Sequence, residues 1–214
     1  MFFAYGEKEM SYLKARDKRL GGAIDRIGHI ERAVDSDLVS SVIHHIIGQQ
    51  ISTTAQATLW RRLNERLGNV TAAGVLTLGR TELQAIGITF KKADYILDFA
   101  EQVQSGTFDV EGLDKLSDEE VIRELSALKG IGVWTAEMIM TFCMQRPDVV
   151  SFGDLAIHRG MRMLYRHREI DRARFERYRR RYSPYGTVAS LYLWAIAGGA
   201  IPELTDPMPR RAAK

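Results

Sequence analysis

The chain has 214 residues, of which 45% are hydrophobic, with one cysteine and a formal net charge of +3. This apolar content can bury a sizeable core, as one domain or two small lobes, and the slightly basic charge is compatible with DNA binding. No apolar run is long enough to cross a bilayer, the N-terminus does not have the order of a signal peptide, and a lone Cys143 gives no disulfide or Cys-based zinc site. We therefore expect a cytoplasmic protein without a membrane partner.

The first part of the chain is predicted to be helical. A helix is expected from about residue 7 to Leu20, where two glycines would end it. Asp35-Ser36-Asp37 can cap a second helix, because apolar residues between Leu38 and Ile47 recur at helical spacing. The segment Gly48-Gln49-Gln50-Ile51-Ser52 breaks that helix, and another is predicted from Thr53 to about Leu67.

Two adjacent glutamines lie at this break. Side-chain amides both donate and accept hydrogen bonds, so Gln49 and Gln50 have the chemistry to replace the bonds of an opened base pair. A polar turn explains the same residues, and it is the simpler interpretation. From the residues alone both interpretations stay open.

Two further helices are predicted before the central motif. A short one starts at Thr81, and a longer one runs from Ile88 to about Gln104. Lys91 and Lys92 lie near the start of the longer helix, where cations oppose the helix dipole. This mismatch is a weak indication of a neighbouring phosphate.

The stretch Leu128-Lys129-Gly130-Ile131-Gly132 links two predicted helices. Ser117 and Glu120 have the spacing of a capping box, and the apolar run from Val133 to Met144 predicts a buried helix. The two glycines permit a tight turn with positive φ and leave no side chain to block a ligand. Free N–H groups at the start of the second helix would suit a phosphate oxygen, although an ordinary helical hairpin fits the pattern too.

The C-terminal third contains an aspartate at a helix start and a basic run. Asp154 is predicted to cap a helix from Leu155 to Tyr165, a second helix covers 171–182, and a third starts at Pro184 and stops at two glycines. The tail over 201–214 is expected to be flexible. The basic run is either a solvated helix face or a weaker contact to a DNA backbone, and consists of Arg162, Arg166, Arg168, Arg172, Arg174, Arg177, Arg179, Arg180 and Arg181.

Taken together, these motifs resemble one known family. Leu-x-Gly-Ile-Gly-x-Trp-Thr-Ala from Leu128 to Ala136, then a buried helix, then a loop ending in Gly153-Asp154, is similar to the helix-hairpin-helix (HhH-GPD) DNA glycosylases. More narrowly, it resembles the 3-methyladenine DNA glycosylase II type, which acts on alkylated bases. The resemblance extends from about Asp35 to Gly199.

The resemblance implies an all-α, two-lobed HhH-GPD fold without an N-terminal β domain. Residues 35–115 would form a central helical lobe. Residues 1–34 and 116–200 would form the second, which would carry the helix-hairpin-helix at 118–144 and the catalytic loop. Asp154 would lie in the cleft between the lobes.

The resemblance also assigns the chemistry. Asp154 would be the catalytic carboxylate that stabilises positive charge on the deoxyribose during hydrolysis of the N-glycosidic bond. The damaged nucleotide must first be flipped out of the duplex, and Gln50 or Ile51 would plug the gap it leaves. A helix-capping role for Asp154 is compatible with this, because a cap fixes the carboxylate in place.

Further positions carry over to the base pocket and the DNA backbone. Trp134 and Trp194 match base-stacking tryptophans, and cation–π attraction favours a positively charged alkylated base. Met138 replaces an aromatic residue of the family. The expected phosphate contacts are Lys129, Gly130, Gly132 and Thr135, and the carbonyls of Leu128 and Gly130 are candidates to hold a monovalent cation, Na⁺ or K⁺.

Trp134 also bears on the reaction type, because bifunctional relatives carry the attacking lysine near this point of the hairpin. A tryptophan forms no Schiff base, so the resemblance implies a monofunctional glycosylase without AP-lyase activity. With one cysteine, the chain cannot hold the iron–sulfur cluster of endonuclease-III-type relatives. We expect a monomer in base excision repair that acts on double-stranded DNA containing alkylated purines of the 3-methyladenine and 7-methylguanine class.

Two alternatives stay open at this point. One is a glycosylase of the same fold for oxidised, deaminated or mismatched bases. The other is a non-catalytic helix-hairpin-helix DNA-binding module. The aspartate loop and the length of the helical framework argue against the module, because a hairpin that only binds DNA needs neither.

Overall fold

The computed structural model describes residues 1–208, and the regular secondary structure of this part is helical apart from an isolated antiparallel bridge between Phe2 and Ala33. The all-α fold predicted from the sequence is confirmed. The described part contains eleven α-helices and a short 3₁₀ helix at Gly112–Lys115. The α-helices are α1 (Glu7–Arg16), α2 (Lys18–Ile27), α3 (Leu38–Gly48), α4 (Thr53–Leu67), α5 (Ala72–Ala85), α6 (Phe90–Gln104), α7 (Asp118–Ala127), α8 (Val133–Phe142), α9 (Leu155–Tyr165), α10 (Arg172–Tyr182) and α11 (Gly186–Ala197).

The chain divides into two compact units. The central unit is the continuous stretch Asp35–Met144, and the terminal unit combines Met1–Val34 with the chain from Gln145 onward. This division differs from the predicted one, which placed the helix-hairpin-helix at 118–144 in the second lobe. In the structure α7 packs on α8 and α8 packs on α3, so both hairpin helices belong to the central unit.

Local capping explains why most helices begin where the sequence predicts. Ser117 and Glu120 form the expected capping box at α7, since the Ser117 hydroxyl accepts from the Glu120 N–H and the Glu120 carboxylate accepts from the Ser117 N–H. Asp37 accepts from the Ser40 N–H at 2.8 Å and opens α3. These bonds satisfy N–H groups that the first turn of a helix leaves without partners.

The prediction of one continuous N-terminal helix from about residue 7 to Leu20 is wrong. Asp17 splits it, because its carboxylate accepts from the N–H groups of Arg19 and Leu20 and so starts a new helix, α2. The two glycines expected to end the first helix lie inside α2. The helix ends instead at Gly28, which has a φ of +76°.

Two other boundaries differ from the prediction. The short helix expected from Thr81 is the second part of α5, which is kinked at Gly79, where φ is +75°. Pro184 lies outside α11, whose first residue is Gly186. Instead, the Thr187 N–H in the first turn of α11 donates to the carbonyl of Pro147 at 3.0 Å.

The tail prediction is also corrected for its first residues. Ile201 is only 2% exposed, so the chain after α11 returns to the core of the terminal unit. Asp206 receives two hydrogen bonds from the guanidinium of Arg162, at 2.8 and 2.5 Å. The last part of the predicted flexible tail, 209–214, lies outside the described residues.

No helix among residues 1–208 is both long enough and apolar enough to cross a membrane.

Candidate functional site

Asp154 is fixed at the N-terminus of α9. Its Oδ1 accepts from the N–H groups of Ala156 and Ile157, both at 2.8 Å, and from the indole Nε1–H of Trp194 at 3.2 Å. The residue is only 7% exposed. The predicted capping role is therefore present, and the tryptophan adds a third donor that holds the carboxylate in one orientation.

The loop that leads to Asp154 is anchored to the start of α11. The Asp148 carboxylate accepts from the Gly186 N–H at 3.0 Å and from the Ser183 hydroxyl at 2.6 Å. The Val149 N–H donates to the Thr187 hydroxyl at 2.9 Å. These contacts anchor the loop that supports Asp154, because they pair its polar groups within the fold.

A close helix crossing brings Trp194 to Asp154. α9 and α11 pack against each other, and a Cβ at Gly160 would lie 2.2 Å from the carbonyl oxygen of Leu193. Only glycine allows this approach of the two backbones. Trp194, which follows Leu193 on α11, is half-buried and reaches the carboxylate from there.

The hairpin turn in the central unit has the tight geometry predicted from its glycines. Gly130 has a φ of +85°, and a Cβ there would lie 2.4 Å from the ring of Tyr95. Gly132 caps α8 without any side-chain hydrogen bond, and space around its Cα is open. The turn is thus a packed Gly130 followed by an accessible helix start at Gly132.

The structure ties the predicted plug segment to this turn, a link that the sequence analysis missed. The side-chain amide of Gln49 donates to the carbonyl of Gly130 at 2.7 Å. Lys92 donates to the carbonyls of Ile47 and Gln49, at 2.9 and 2.6 Å. Lys92 therefore neutralises the negative end of the α3 dipole. This contact accounts for the position of the lysine without the neighbouring phosphate that the sequence suggested.

The two predicted plug residues follow directly after this anchor. Gln50 is exposed and adopts a left-handed backbone with a φ of +59°, and Ile51 is 38% exposed. A non-glycine residue in this backbone region costs of order 1 kcal/mol and persists only when its surroundings hold it there. The segment is therefore held in a defined, protruding conformation.

The other predicted phosphate contacts differ in accessibility. Lys129 is exposed and pairs with the carboxylate of Asp98, which raises the pKa of the lysine. Thr135 is only 6% exposed, within the buried side of α8, so the structure does not support a side-chain contact to phosphate. The backbone at Gly132 and the cation of Lys129 are the accessible members of the set.

The residues predicted to line the base pocket also differ in accessibility. Trp134 is 46% exposed at the start of α8, whereas Met138, one turn later, is only 4% exposed. Met138 therefore belongs to the core of the central unit, which argues against direct stacking on a base. The exposed indole of Trp134 keeps a surface on which a planar ring can stack.

The carbonyls suggested for a monovalent cation already take part in the turn. The Gly130 carbonyl accepts from Gln49, and the Leu128 carbonyl accepts from the Ile131 N–H at 3.1 Å. Each carbonyl has a second lone pair, so the turn can still bind a cation. Among the described residues no cluster of three or more His, Cys, Asp or Glu is suited to a metal ion.

Residues 43–184 match the family model described as the HhH-GPD superfamily of base excision DNA repair proteins. The chain belongs to the HhH-GPD superfamily. The match includes the hairpin, the plug segment and Asp154, which confirms the resemblance drawn from these motifs.

Named members of the superfamily narrow the resemblance. DNA-3-methyladenine glycosylase 1 of Schizosaccharomyces pombe is 30% identical over 158 residues, which cover 72% of this chain and 69% of that protein. A putative DNA-3-methyladenine glycosylase of Bacillus subtilis is 24% identical over 173 residues, which cover 75% of this chain and 59% of that protein. The narrower resemblance, to the alkylated-base type of HhH-GPD protein, is thereby confirmed as well.

Solved structures of HhH-GPD proteins have the same fold as this chain. The crystal structure of a DNA-3-methyladenine glycosidase from Bacillus halodurans superposes with a TM-score of 0.84 at 32% identity and covers 95% of both chains. The S. pombe 3-methyladenine DNA glycosylase in complex with abasic DNA has a TM-score of 0.77 at 26% identity, over 88% of this chain and 95% of that one.

Proposed function

We propose that this protein is a monofunctional DNA glycosylase that hydrolyses the N-glycosidic bond of alkylated purines in double-stranded DNA. The observation that carries the proposal is the fixed carboxylate of Asp154, held by three N–H donors at the start of α9. The named relatives, which are DNA-3-methyladenine glycosylases, support alkylated bases as the substrate class.

The proposed chemistry follows from the charge of the reacting sugar. As the bond between base and deoxyribose breaks, positive charge develops on the sugar in an oxocarbenium-like transition state. A carboxylate that is already oriented by its cap bonds stabilises this charge without reorganising. In the proposed mechanism Asp154 also orients the water that attacks the sugar and takes its proton.

The single carboxylate suits an alkylated purine in particular. Methylation at N3 or N7 makes the base cationic, so it leaves as a neutral molecule and needs little help from an acid. A cationic ring also stacks well on an indole, through cation–π attraction. Trp134, at the start of α8, and Trp194, on α11, each carry such an indole. The bond from Trp194 to Asp154 links an indole directly to the reacting carboxylate.

We further propose that the enzyme lacks AP-lyase activity. Trp134 occupies the place where bifunctional relatives carry a lysine, and Lys129 pairs with Asp98. Borohydride treatment of the protein with lesion-containing DNA is therefore expected to trap no covalent adduct. A trapped adduct would overturn this part of the proposal while leaving base release intact.

The test of the function is base release. Duplex DNA treated with a methylating agent is incubated with the wild-type protein, with Asp154→Asn and with Asp171→Asn, and the free bases are separated by chromatography. Asp171 is a matched control, because it caps α10 through the Arg174 N–H in the same way. We expect 3-methyladenine or 7-methylguanine from the wild type and the control and about 100-fold less from Asp154→Asn.

Other results would contradict the proposal in distinguishable ways. Release of 8-oxoguanine or uracil from matching duplexes, with none from methylated DNA, would move the substrate class to oxidised or deaminated bases. Duplex binding without release of any base would leave a binding module. Equal release by the wild type and Asp154→Asn would remove the carboxylate from the reaction.

A further inference from the structure

The terminal unit contains a polar cavity that the proposed reaction does not use. It has a volume of about 350 Å³ and lies where α1 meets α2, beside α10 and the end of α9. Its walls carry four cationic side chains and a single carboxylate, together with two tyrosines and a histidine. The cations are Arg16, Lys18, Arg19 and Arg181, and the carboxylate is Asp17.

Asp17 is committed to the fold and leaves most of the positive charge in the cavity uncompensated. One oxygen caps α2, and the other accepts from the Tyr165 hydroxyl at 2.9 Å and from Arg181 at 3.1 Å. The residue is only 5% exposed. The negative charge of Asp17 therefore compensates the positive charge of Arg181 from the buried side of the cavity.

The other cations face solvent. Arg16, Lys18 and Arg19 are exposed, and within residues 1–208 no carboxylate forms an ion pair with any of them. The guanidinium of Arg19 is aimed by a hydrogen bond to the Tyr165 carbonyl at 2.8 Å. Three like charges around one concavity attract an anion, because the low-dielectric walls focus their field.

The tyrosines and the histidine make the cavity rigid. The rings of Tyr165 and Tyr178 stack with centroids 3.8 Å apart, and the Tyr178 hydroxyl and His167 Nε2 lie 2.7 Å apart in a hydrogen bond. Desolvation lowers the pKa of His167, and so do the charges of Arg174, Arg177 and Arg19. Arg174 and Arg177 lie on α10, so positive charge continues from the cavity along this helix.

We propose that this cavity is a phosphate-binding site that holds the backbone of the DNA duplex on one side of the damaged nucleotide. This inference rests on the proposed function only because it takes duplex DNA as the ligand. An extended polyanion is favoured over a single free phosphate because the basic surface continues beyond the cavity along α10, through Arg174 and Arg177.

The distance from the reacting centre fits a flanking contact. Asp154 and the cavity residue Tyr165 lie at opposite ends of α9, which has 11 residues and is therefore about 16 Å long. In this proposal the duplex runs alongside α9, and because a DNA strand rises 3.4 Å per nucleotide, the length of the helix then corresponds to about five base pairs. In that position the cavity contacts flanking phosphates and leaves the choice of lesion unchanged.

The test compares two double variants of the full chain. Arg16→Ala with Lys18→Ala removes two cavity cations, and Lys8→Ala with Lys115→Ala removes the same charge from exposed sites outside it. Affinity for a 21-base-pair duplex with a central abasic-site analogue is measured over a range of salt. The cavity variant is expected to bind about 3- to 10-fold more weakly at low salt, with a salt slope smaller by about one.

Two further measurements identify the source of the phosphate. Repeating the binding on a 7-base-pair duplex is expected to abolish the difference between the variants. Inorganic phosphate, followed through the NMR signals of His167, is expected to bind only weakly.

Several outcomes overturn the proposal. They are an unchanged salt slope, an equal loss in the control variant, and an equal loss on the short duplex. Tight binding of inorganic phosphate with unchanged DNA affinity would assign the cavity to a small anion instead. Absence of base release from the wild type would count against the proposed glycosylase alone, since the binding experiment uses an abasic analogue and needs no turnover.

Discussion

Two helix starts in this protein use the same backbone chemistry in opposite ways. α8 begins at Gly132 with no side-chain cap, whereas α9 begins at Asp154, whose own carboxylate accepts from the first-turn N–H groups. Both starts carry the positive end of a helix dipole. One is left open to an anion from outside, and the other is closed by an anion of the chain.

The difference matches the two charges that DNA presents in the proposed reaction. A phosphate is permanently negative and binds an open helix start. The sugar becomes positive only while the glycosidic bond breaks, and it needs a negative group that is already in place. In the proposed reaction, an exposed glycine and a buried aspartate at otherwise similar positions thus separate binding from catalysis.

The largest expected effect comes from removing the charge of Asp154, the carboxylate that closes the start of α9. Asp154→Asn keeps the cap, because asparagine and aspartate cap helices about equally well. Base release is expected to fall by about 100-fold or more, while affinity for the duplex stays equal or rises by a few fold as a negative charge is lost. Single-turnover kinetics and anisotropy measure the two quantities separately, and a parallel fall in both would break the comparison.

The next largest effect comes from adding a capping carboxylate at Gly132, the open start of α8. Gly132→Asp places a capping carboxylate where the backbone, with a φ of −97° and a ψ of 172°, already suits an N-cap and space is open. Duplex affinity is expected to fall by about 10-fold or more, because the new charge both occupies the N–H groups and repels phosphate.

Gly132→Asn is the matched control for this change. It adds a cap of the same shape without the charge, so its loss of affinity is expected to be smaller. The melting temperature of both variants should stay at or slightly above that of the wild type. Unchanged binding by Gly132→Asp would show that the start of α8 does not contact DNA.

A smaller effect, on stability, is expected at Gly130. Alanine there is strained by the φ of +85° and meets the Tyr95 ring, so we expect a loss of about 2 kcal/mol in the free energy of unfolding. Urea denaturation measures the loss. Tyr95→Ala in the same chain should recover part of it, whereas Gly132→Ala should cost only a few tenths of a kcal/mol. Equal losses at both glycines would contradict their division into a packed and an accessible position.

The smallest effect concerns Lys129. Asp98 pairs with this lysine and competes with a phosphate for its charge. Asp98→Asn is therefore expected to raise duplex affinity about 2- to 3-fold at low salt, with the gain disappearing as salt screens the charges. Lys129→Ala should remove the gain, and a gain that persists without the lysine would point to a different cause.

Much of the fold was predictable because its signals are local. The bounds of α9 and the capping box of α7 follow from residues within one helical turn of each other. The same holds for Asp154, whose two backbone donors lie two and three residues along the chain. Short-range hydrogen bonds of this kind can be read directly from residue types and spacing.

What was missed depends on partners far away in the sequence. The bond from Gln49 to Gly130 spans 81 residues, and the one from Trp194 to Asp154 spans 40. The burial of Thr135 and Met138 likewise depends on which helices pack on α8. One signal was available for the N-terminus, since Asp17 is a good cap residue that precedes an apolar run, but the glycines after it outweighed it in the prediction.

The discontinuity of the terminal unit has a consequence for how the protein forms on the ribosome. Leu13, Leu20 and Ile24 leave the ribosome early, but their buried environment includes α11, which ends at Ala197. The continuous central unit, Asp35–Met144, has all its partners much sooner. Because domains fold as their residues emerge, the hairpin turn is expected to be complete before the support of Asp154 exists. The first helices to be synthesised are therefore among the last to reach their final packing.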